Sequence, residues 1–213
     1  MSETIQQSFK AVVIGGGPAG YVAAIRLGQL GVLTALVDEG GLGGTCLREG
    51  CIPSKALLGI SKTVAHARSL MATGLATGAI EAVPDALRTY KNGVVQRLTE
   101  GIGSLLKAGR VTVLPGRGRL AGRGRVAIEQ AGQTTLIGAE SVLLATGSSP
   151  IDLPLLPTDG TDVWSSSHAL DLPCVPARLC VIGGGYIGLE LATLYARLGS
   201  AVTVIELQDQ LMP

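Results

Sequence analysis

The sequence is poor in aromatic residues, in net charge and in histidine. Phe occurs once, Trp once and Tyr four times, 3% of 213 residues. Single-stranded nucleic-acid sites stack bases on aromatic side chains. The basic run at 117–125 has none interleaved with it, so it reads as a solvated hairpin and no nucleic-acid partner is expected. The formal charge of +1 also gives no electrostatic footprint for nucleic acid or an anionic membrane. No run of about 18 apolar residues avoids Gly and charge, so no membrane span and no membrane partner are expected. Residues 1–7 lack the basic and apolar segments of a signal peptide, which makes the cytoplasm the expected compartment. The two histidines, His66 and His168, are assigned no role. Of the four cysteines, Cys174 and Cys180 read as packing residues. Structural zinc would need a second ligand pair at C-x₂₋₄-C or H-x₃₋₅-H spacing. None is present, so no metal site is expected.

What is abundant is glycine, 31 residues, within a chain that is 46% apolar. That composition suits a packed α/β protein and argues against disorder. The length allows one large domain or one and a half ordinary ones.

The glycines fall into a repeat. Lys10-Ala11-Val12-Val13-Ile14-Gly15-Gly16-Gly17-Pro18-Ala19-Gly20 aligns without a gap on Arg178-Leu179-Cys180-Val181-Ile182-Gly183-Gly184-Gly185-Tyr186-Ile187-Gly188. The match continues through Ala24/Ala192, Leu30/Leu198 and Gly31/Gly199, and ends with Asp38 facing Glu206. Each copy has a short apolar run, G-x-G-x-x-G, a helix-length segment closed by Gly, and a second apolar run ending on an acid. This is the βαβ dinucleotide fingerprint. The first Gly (Gly15, Gly183) allows the tight turn. The second (Gly17, Gly185) lets backbone approach a pyrophosphate, and the third (Gly20, Gly188) lets helix pack on strand. The helix N-terminus offers N–H donors to the phosphates, and the acid accepts from ribose hydroxyls.

Between the copies, residues 55–74 read as helix, 75–83 are left open, and 85–107 show helical spacing. Strand-like runs follow at 111–114, 125–129 and 134–137, with a separate buried strand at 142–145. Residues 150–157 are Pro-rich and read as a linker, with a domain boundary there. The chain stops directly after the second strand of the second fingerprint. A doubly wound domain needs further strands to close its sheet, so the sequence is expected to be part of a longer protein.

Gly43-Gly44-Thr45-Cys46-Leu47-Arg48-Glu49-Gly50-Cys51-Ile52-Pro53-Ser54-Lys55 carries the chemistry. Residues five apart in an ideal helix have Cα atoms roughly 8 to 9 Å apart, and a disulfide needs less than about 7 Å. Cys46 and Cys51 can therefore bridge only across a distorted helix start. Gly50 supplies backbone freedom and Pro53 is expected to break the hydrogen-bond ladder. Such a bridge is readily reduced. Two separate buried thiols are the alternative.

This stretch resembles the redox-active disulfide motif of the pyridine nucleotide-disulfide oxidoreductases, and within them is most similar to the dihydrolipoamide dehydrogenase branch. The resemblance covers nearly the whole chain. It implies an α/β chain with a Rossmann-like FAD-binding domain at 1–150, carrying the disulfide. The linker and the start of a Rossmann-like NAD-binding domain follow at 151–213. It implies FAD contacts from Gly15, Gly17, Pro18, Ala19, Gly20, Asp38 or its neighbour Glu39, Gly44, Thr45, Gly118, Thr146, Gly147 and Ser148, with Lys55 beside the isoalloxazine. NAD falls to Gly183, Gly185, Tyr186, Ile187, Gly188, Glu190 and Glu206. Relatives usually carry Glu where Asp38 stands, and Asn-x where Arg48-Glu49 stands. On physical grounds, the Glu206 carboxylate accepts from a ribose 2′-OH and repels a 2′-phosphate, favouring NAD over NADP.

By the same resemblance Cys46 is the interchange thiol and Cys51 the flavin-side thiol. The substrates are dihydrolipoyl groups of an acyltransferase or H-protein, and the full-length protein is a homodimer. In the family a His–Glu pair on a C-terminal dimerisation domain supplies the base. His66 and His168 do not match it, so residues 1–213 alone are expected to lack lipoamide turnover. Mercuric or another disulfide reductase activity, and a non-catalytic FAD-binding fragment, stay open beside this reading.

Overall fold

The structure is a computed structural model and describes residues 5–151 and 153–212. Residues 1–4, read above for a signal peptide, Asp152 within the expected linker, and Pro213 lie outside the described residues. In chain order the elements begin with β1 (Gln7–Ile14), α1 (Pro18–Gln29), β2 (Thr34–Asp38), α2 (Gly44–Arg48), α3 (Cys51–Ala72) and α4 (Pro84–Ala108). They continue with β3 (Thr112–Pro115), β4 (Arg117–Leu120), β5 (Arg125–Gln130), β6 (Gln133–Leu144), α5 (Ser166–Leu170), β7 (Arg178–Ile182), α6 (Tyr186–Leu198) and β8 (Ala201–Ile205). These fall into two compact units, Met1–Arg48 with Gln96–Pro150, and Glu49–Val95 with Ile151–Pro213.

The first unit is a six-stranded sheet of order β3-β2-β1-β6-β5-β4. The first four strands are parallel, and β5 and β4 continue antiparallel from β6. Val12, Val13 and Ile14 are all buried, as expected of a parallel strand covered on both faces. Lys10 N–H and Ala11 N–H both donate to Leu33 O, at 2.9 and 3.2 Å. Phe9 joins Val12 and Ile14 in the core. Those three meet Ala35, Val37, Val126, Ile128, Ile137 and Ala139 in one core. Gly118 on β4 lies over Ile14 and Val37, where a Cβ would stand 2.9 and 3.0 Å from their side-chain carbons.

The runs expected as separate strands at 134–137 and 142–145 are one twelve-residue strand, β6. Gly138 between them is a close-approach position rather than a turn, since a Cβ there would meet Ser8 Oγ at 2.4 Å. Glycine inside a strand often marks such an approach.

The second unit pairs β7 with β8 in parallel, Arg178 opposite Ala201 through Ile182 opposite Ile205. Its core joins Leu57 of α3, Leu87 of α4, Leu170 of α5 and Leu191, Leu194, Tyr195 and Leu198 of α6. Tyr195 is fully buried, and its hydroxyl donates to Ala169 O at 2.7 Å. Burial, first, and then the negative charge available at Cys174 and Asp171 push this phenol well above its ordinary pKa. Arg68 Nη1 donates to the last carbonyls of α6, Arg197 O and Leu198 O, at 3.0 and 3.2 Å. A cation there satisfies acceptors that the helix leaves open. The helix α5 was not expected. Ser165 caps it by accepting from His168 N–H, and His168 Nδ1 accepts from Ser165 N–H. Among the described residues no helix is long and apolar enough to cross a membrane.

Candidate functional site

The first glycine turn joins β1 to α1. Gly15 has φ +109°, its N–H donates to Val37 O at 2.8 Å, and a Cβ would stand 2.1 Å from Ala145 O. Only glycine suits that conformation and that clearance. Gly17 is the N-cap of α1 and Pro18 its first residue, where a missing N–H costs nothing. Ala19 follows in the first turn. Gly20 packs so closely that a Cβ would stand 1.7 Å from Gly15 O. Gly31, just past α1, has φ +74°.

Three further contacts build the site around that turn. Gly16 N–H donates to Asp38 Oδ1 at 2.7 Å, while Asp38 Oδ2 is buried with no hydrogen-bond partner. Glu39, next to it, is exposed. Gly43 N–H donates to Gly16 O at 2.8 Å. Gly44 has φ +59° and lies against Gly17, where a Cβ would stand 2.5 Å from Gly17 Cα. The loop that opens α2 therefore rests on the glycine turn, and α2 carries Thr45 and Cys46. Thr146, Gly147 and Ser148 follow β6 at the same carboxyl edge of the sheet and are exposed. The carboxyl edge of a parallel sheet is where such folds bind ligands.

The second unit repeats this turn. Gly183 has φ +103° and its N–H donates to Ile205 O at 2.8 Å. Gly185 caps α6, and a Cβ on Gly188 would stand 2.1 Å from Gly183 O. Gly184 N–H donates to Glu206 Oε2 at 2.6 Å. The donor and the acid are 22 residues apart in both copies. Gln208 N–H donates to Glu206 Oε1 at 2.9 Å. The Gln208 N–H, foremost, and the Gly184 N–H hold this carboxyl below the usual carboxylate range. Tyr186 and Ile187, on the first turn of α6, are exposed.

The helical run of the cysteine motif is interrupted between Arg48 and Cys51. Gly50 is the N-cap of α3, with φ −140° and ψ −109°. Cys46 is half-buried in α2, and Cys51 is exposed as the first residue of α3. Pro53 does not break the ladder as expected. It stands third in α3, in the first turn, where backbone N–H groups have no intrahelical carbonyl to reach. The break belongs to Glu49 and Gly50, and α3 starts at Cys51 rather than at Lys55. Arg48 Nη1 lies over Gly40 and Gly41, 3.4 Å from where a Cβ would be on either.

Lys55 Nζ is ion-paired with Glu190 of α6, at 2.8 Å to Oε1 and 2.9 Å to Oε2. Ser54 Oγ reaches Glu190 Oε2 at 3.2 Å. Gly15 to Gly20, Asp38, Glu39, Gly44, Thr45, Cys46, Gly118 and 146–148 thus lie in the first unit. Cys51, Lys55, Gly183 to Gly188, Glu190 and Glu206 lie in the second. Gly16, Gly43, Gly184 and Ser54 were missed by sequence reasoning. The signal for Gly16 and Gly184 was the extra Gly inside each G-x-G, and for Gly43 the glycine pair ahead of Thr45. Nothing local marked Ser54. Among the described residues no group of three or more His, Cys, Asp or Glu is placed to hold a metal.

The sequence profile described as pyridine nucleotide-disulphide oxidoreductase matches residues 9–213. Dihydrolipoyl dehydrogenase of Pseudomonas aeruginosa is 46% identical over 218 residues, covering 100% of this chain and 46% of the relative. The Vibrio parahaemolyticus dihydrolipoyl dehydrogenase is 42% identical over 205 residues, covering 96% and 43%. Among solved structures, LpdA from Mycobacterium tuberculosis superposes with a TM-score of 0.86 at 31% identity, covering 96% of this chain and 46% of that one. The Cu(II) complex of the HOCl-induced flavoprotein disulfide reductase RclA from Escherichia coli gives 0.81 at 28% identity, covering 97% and 44%. The chain spans less than half the length of these relatives. On the profile match and these identities, the chain belongs to the pyridine nucleotide-disulphide oxidoreductase family.

Proposed function

We propose that this chain is the FAD- and disulfide-bearing part of a dihydrolipoyl dehydrogenase, with the beginning of its NAD site. Residues 1–150 then serve FAD and 151–213 open the NAD domain. The supporting observation is the seating of Gly43 and Gly44 on Gly16 and Gly17, which lays the Cys46 helix on the phosphate-binding turn. The residues fit the cofactor on three counts. Asp38 Oδ2 lacks a donor that a ribose hydroxyl would supply. Gly17 opens α1 without a side chain, as close approach of a pyrophosphate requires. The N-terminus of α1 faces that approach with unpaired N–H groups. Pro18, Ala19 and Gly20 form its first turn, and Thr45, Gly118, Thr146, Gly147 and Ser148 complete the set. Lys55 is the residue beside the isoalloxazine.

FAD held by these residues would supply a two-electron acceptor for the reduced cysteine pair and a hydride donor for NAD⁺. The chain's own thiols do the exchange. A dihydrolipoyl thiolate attacks Cys46 Sγ, the Cys46–Cys51 bond breaks, and Cys51 leaves as thiolate. The second dihydrolipoyl thiol, losing its proton, attacks the first dihydrolipoyl sulfur. Lipoyl disulfide leaves and Cys46 is released as thiolate. The dihydrolipoyl group has then lost two electrons and two protons, and the cysteine pair has gained the electrons. In the NAD turn, Glu206 is a carboxylate fixed by two N–H donors, suited to accept from a ribose 2′-OH and to repel a 2′-phosphate.

The whole protein acts as a homodimer in the cytoplasm, on dihydrolipoyl groups of an acyltransferase or H-protein. Cys51→Ser in the full-length protein should abolish dihydrolipoamide:NAD⁺ turnover while FAD is retained. Turnover at the unsubstituted rate would refute the assignment. The likeness to a flavoprotein disulfide reductase at 28% identity favours a second reading, another disulfide reductase. Faster turnover of a different disulfide than of lipoamide would select it.

A further inference from the structure

We infer that Ser54 is a positioning residue that orients Glu190 and, through it, the Lys55 amine. The inference rests on the reading above that Lys55 lies beside the bound flavin. Ser54 is 7% exposed, and its backbone is fixed by donating to Gly50 O at 3.0 Å. Its hydroxyl has one proton and two acceptors within reach. These are Cys51 O at 3.1 Å and Glu190 Oε2 at 3.2 Å. Bonding back to a carbonyl three residues earlier is the ordinary role of a helical serine. The second acceptor comes from another helix, 136 residues further along the chain.

A hydrogen bond to an ionised acceptor is roughly twice as strong as one between neutral groups. The proton therefore favours Glu190 while that carboxylate is charged, with the Cys51 carbonyl as the alternative. Charge alone orders the Lys55–Glu190 pair weakly. Its side chains are 57% and 30% exposed, and an ion pair that open to water gains little against the freedom of two long side chains. Ser54 is buried, short and anchored at its own N–H, so it is the rigid member of the three.

The test compares Ser54→Ala, Ser54→Thr and Ser54→Val in the full-length protein. Thr and Val have the same shape and differ in the hydroxyl, so that pair is informative even where Ala fails to fold. Without added FAD, acylation of Lys55 read by mass spectrometry should rise about threefold in S54A and S54V, and stay near the unsubstituted rate in S54T. With Glu190→Gln already in place, S54A should add nothing further. In the FAD-reconstituted protein, S54A and S54V should shift the flavin equilibrium about threefold, about 14 mV for a two-electron couple. The direction should be that of E190Q, with S54T restoring the original value. Equal Lys55 labelling in S54T and S54V would overturn the inference, as would an S54A effect undiminished in E190Q. If the protein fails to bind FAD at all, the flavin reading falls, and the labelling still decides the role of Ser54.

Discussion

Gly20→Ala is the sharpest probe of the first glycine turn. The added Cβ would stand 1.7 Å from Gly15 O and 2.9 Å from Gly15 C. A carbon and an oxygen settle at about 3.3 Å or more, so something must move by about 1.6 Å. Gly15 cannot yield. Its N–H is held by Val37 O at 2.8 Å, and the space behind it is filled by the Ala145 carbonyl. The helix α1 must therefore lift off the sheet, exposing Ala24 and the β1 face beneath it. Overpacking of this kind costs typically 1–3 kcal/mol, and the fixed backbone places this case near 3 kcal/mol.

Gly31→Ala is the control. It has φ +74° and nothing within 4 Å of its would-be Cβ, so it loses only the left-handed backbone preference, about 1 kcal/mol. Chemical denaturation followed by circular dichroism compares the two. FAD affinity, read by flavin fluorescence quenching, should collapse in G20A and stay within a few-fold in G31A, because only the first moves the helix N-terminus. A G20A protein as stable as G31A, or one that binds FAD normally, would refute the close-packing argument.

Tyr195→Phe should cost about 1 kcal/mol in denaturant, because it removes a buried hydrogen bond to the Ala169 carbonyl, which keeps the Leu172 N–H as a donor, so that no acceptor is stranded. Asp171→Ala should cost about 3 kcal/mol by stranding the Lys91 ammonium, whose side chain is 5% exposed. Lys91→Met should stay within about 1 kcal/mol of the unsubstituted protein, since its partner is solvated and an apolar chain fills the same volume. Glu206 has a lowered folded pKa, so its stabilisation is complete above the ordinary carboxylate value and lost as pH falls through the folded one. The stability gap between the unsubstituted protein and Glu206→Ala should be flat at neutral pH and close in the acid range below that value. Asp38→Ala should weaken FAD binding about ten- to a hundredfold in an equilibrium titration, the worth of a charged hydrogen bond to ribose, while changing the FAD-free protein less.

The glycine turns were legible because each demand on them is local. A positive φ at Gly15 and Gly183, a cap at Gly17 and Gly185, and helix–strand clearance at Gly20 and Gly188 all follow from spacing alone. The acids closing each copy were legible for the same reason. Features set by distant partners were not. Gly138 reads as a strand break until Ser8 is found against it. Pro53 reads as a ladder breaker until α3 is seen to begin at Cys51. Leu57 and Leu87 show helical spacing, but nothing local says that their core is shared with Leu191 and Leu194. Ser54 looks like any helical serine until Glu190 arrives from α6.

The two acids show where alignment stops being informative. Asp38 and Glu206 face each other in the repeat, and each is pinned by the middle glycine of its turn. Yet one methylene separates them, with a chemical consequence. Glu206 has an N–H donor on each oxygen, so its carboxylate is oriented and charged before any ligand arrives. Asp38 has a donor on one oxygen and a buried, unpartnered atom on the other. A buried acceptor left open costs about 1–3 kcal/mol, and a ligand hydroxyl that closes it recovers that cost. On the proposed reading, a dinucleotide in the first turn would supply that hydroxyl and so repair the fold as well as fill the site, which the second turn does not need. On the same reading, that difference suits a cofactor held permanently in the first turn and a co-substrate that comes and goes at the second.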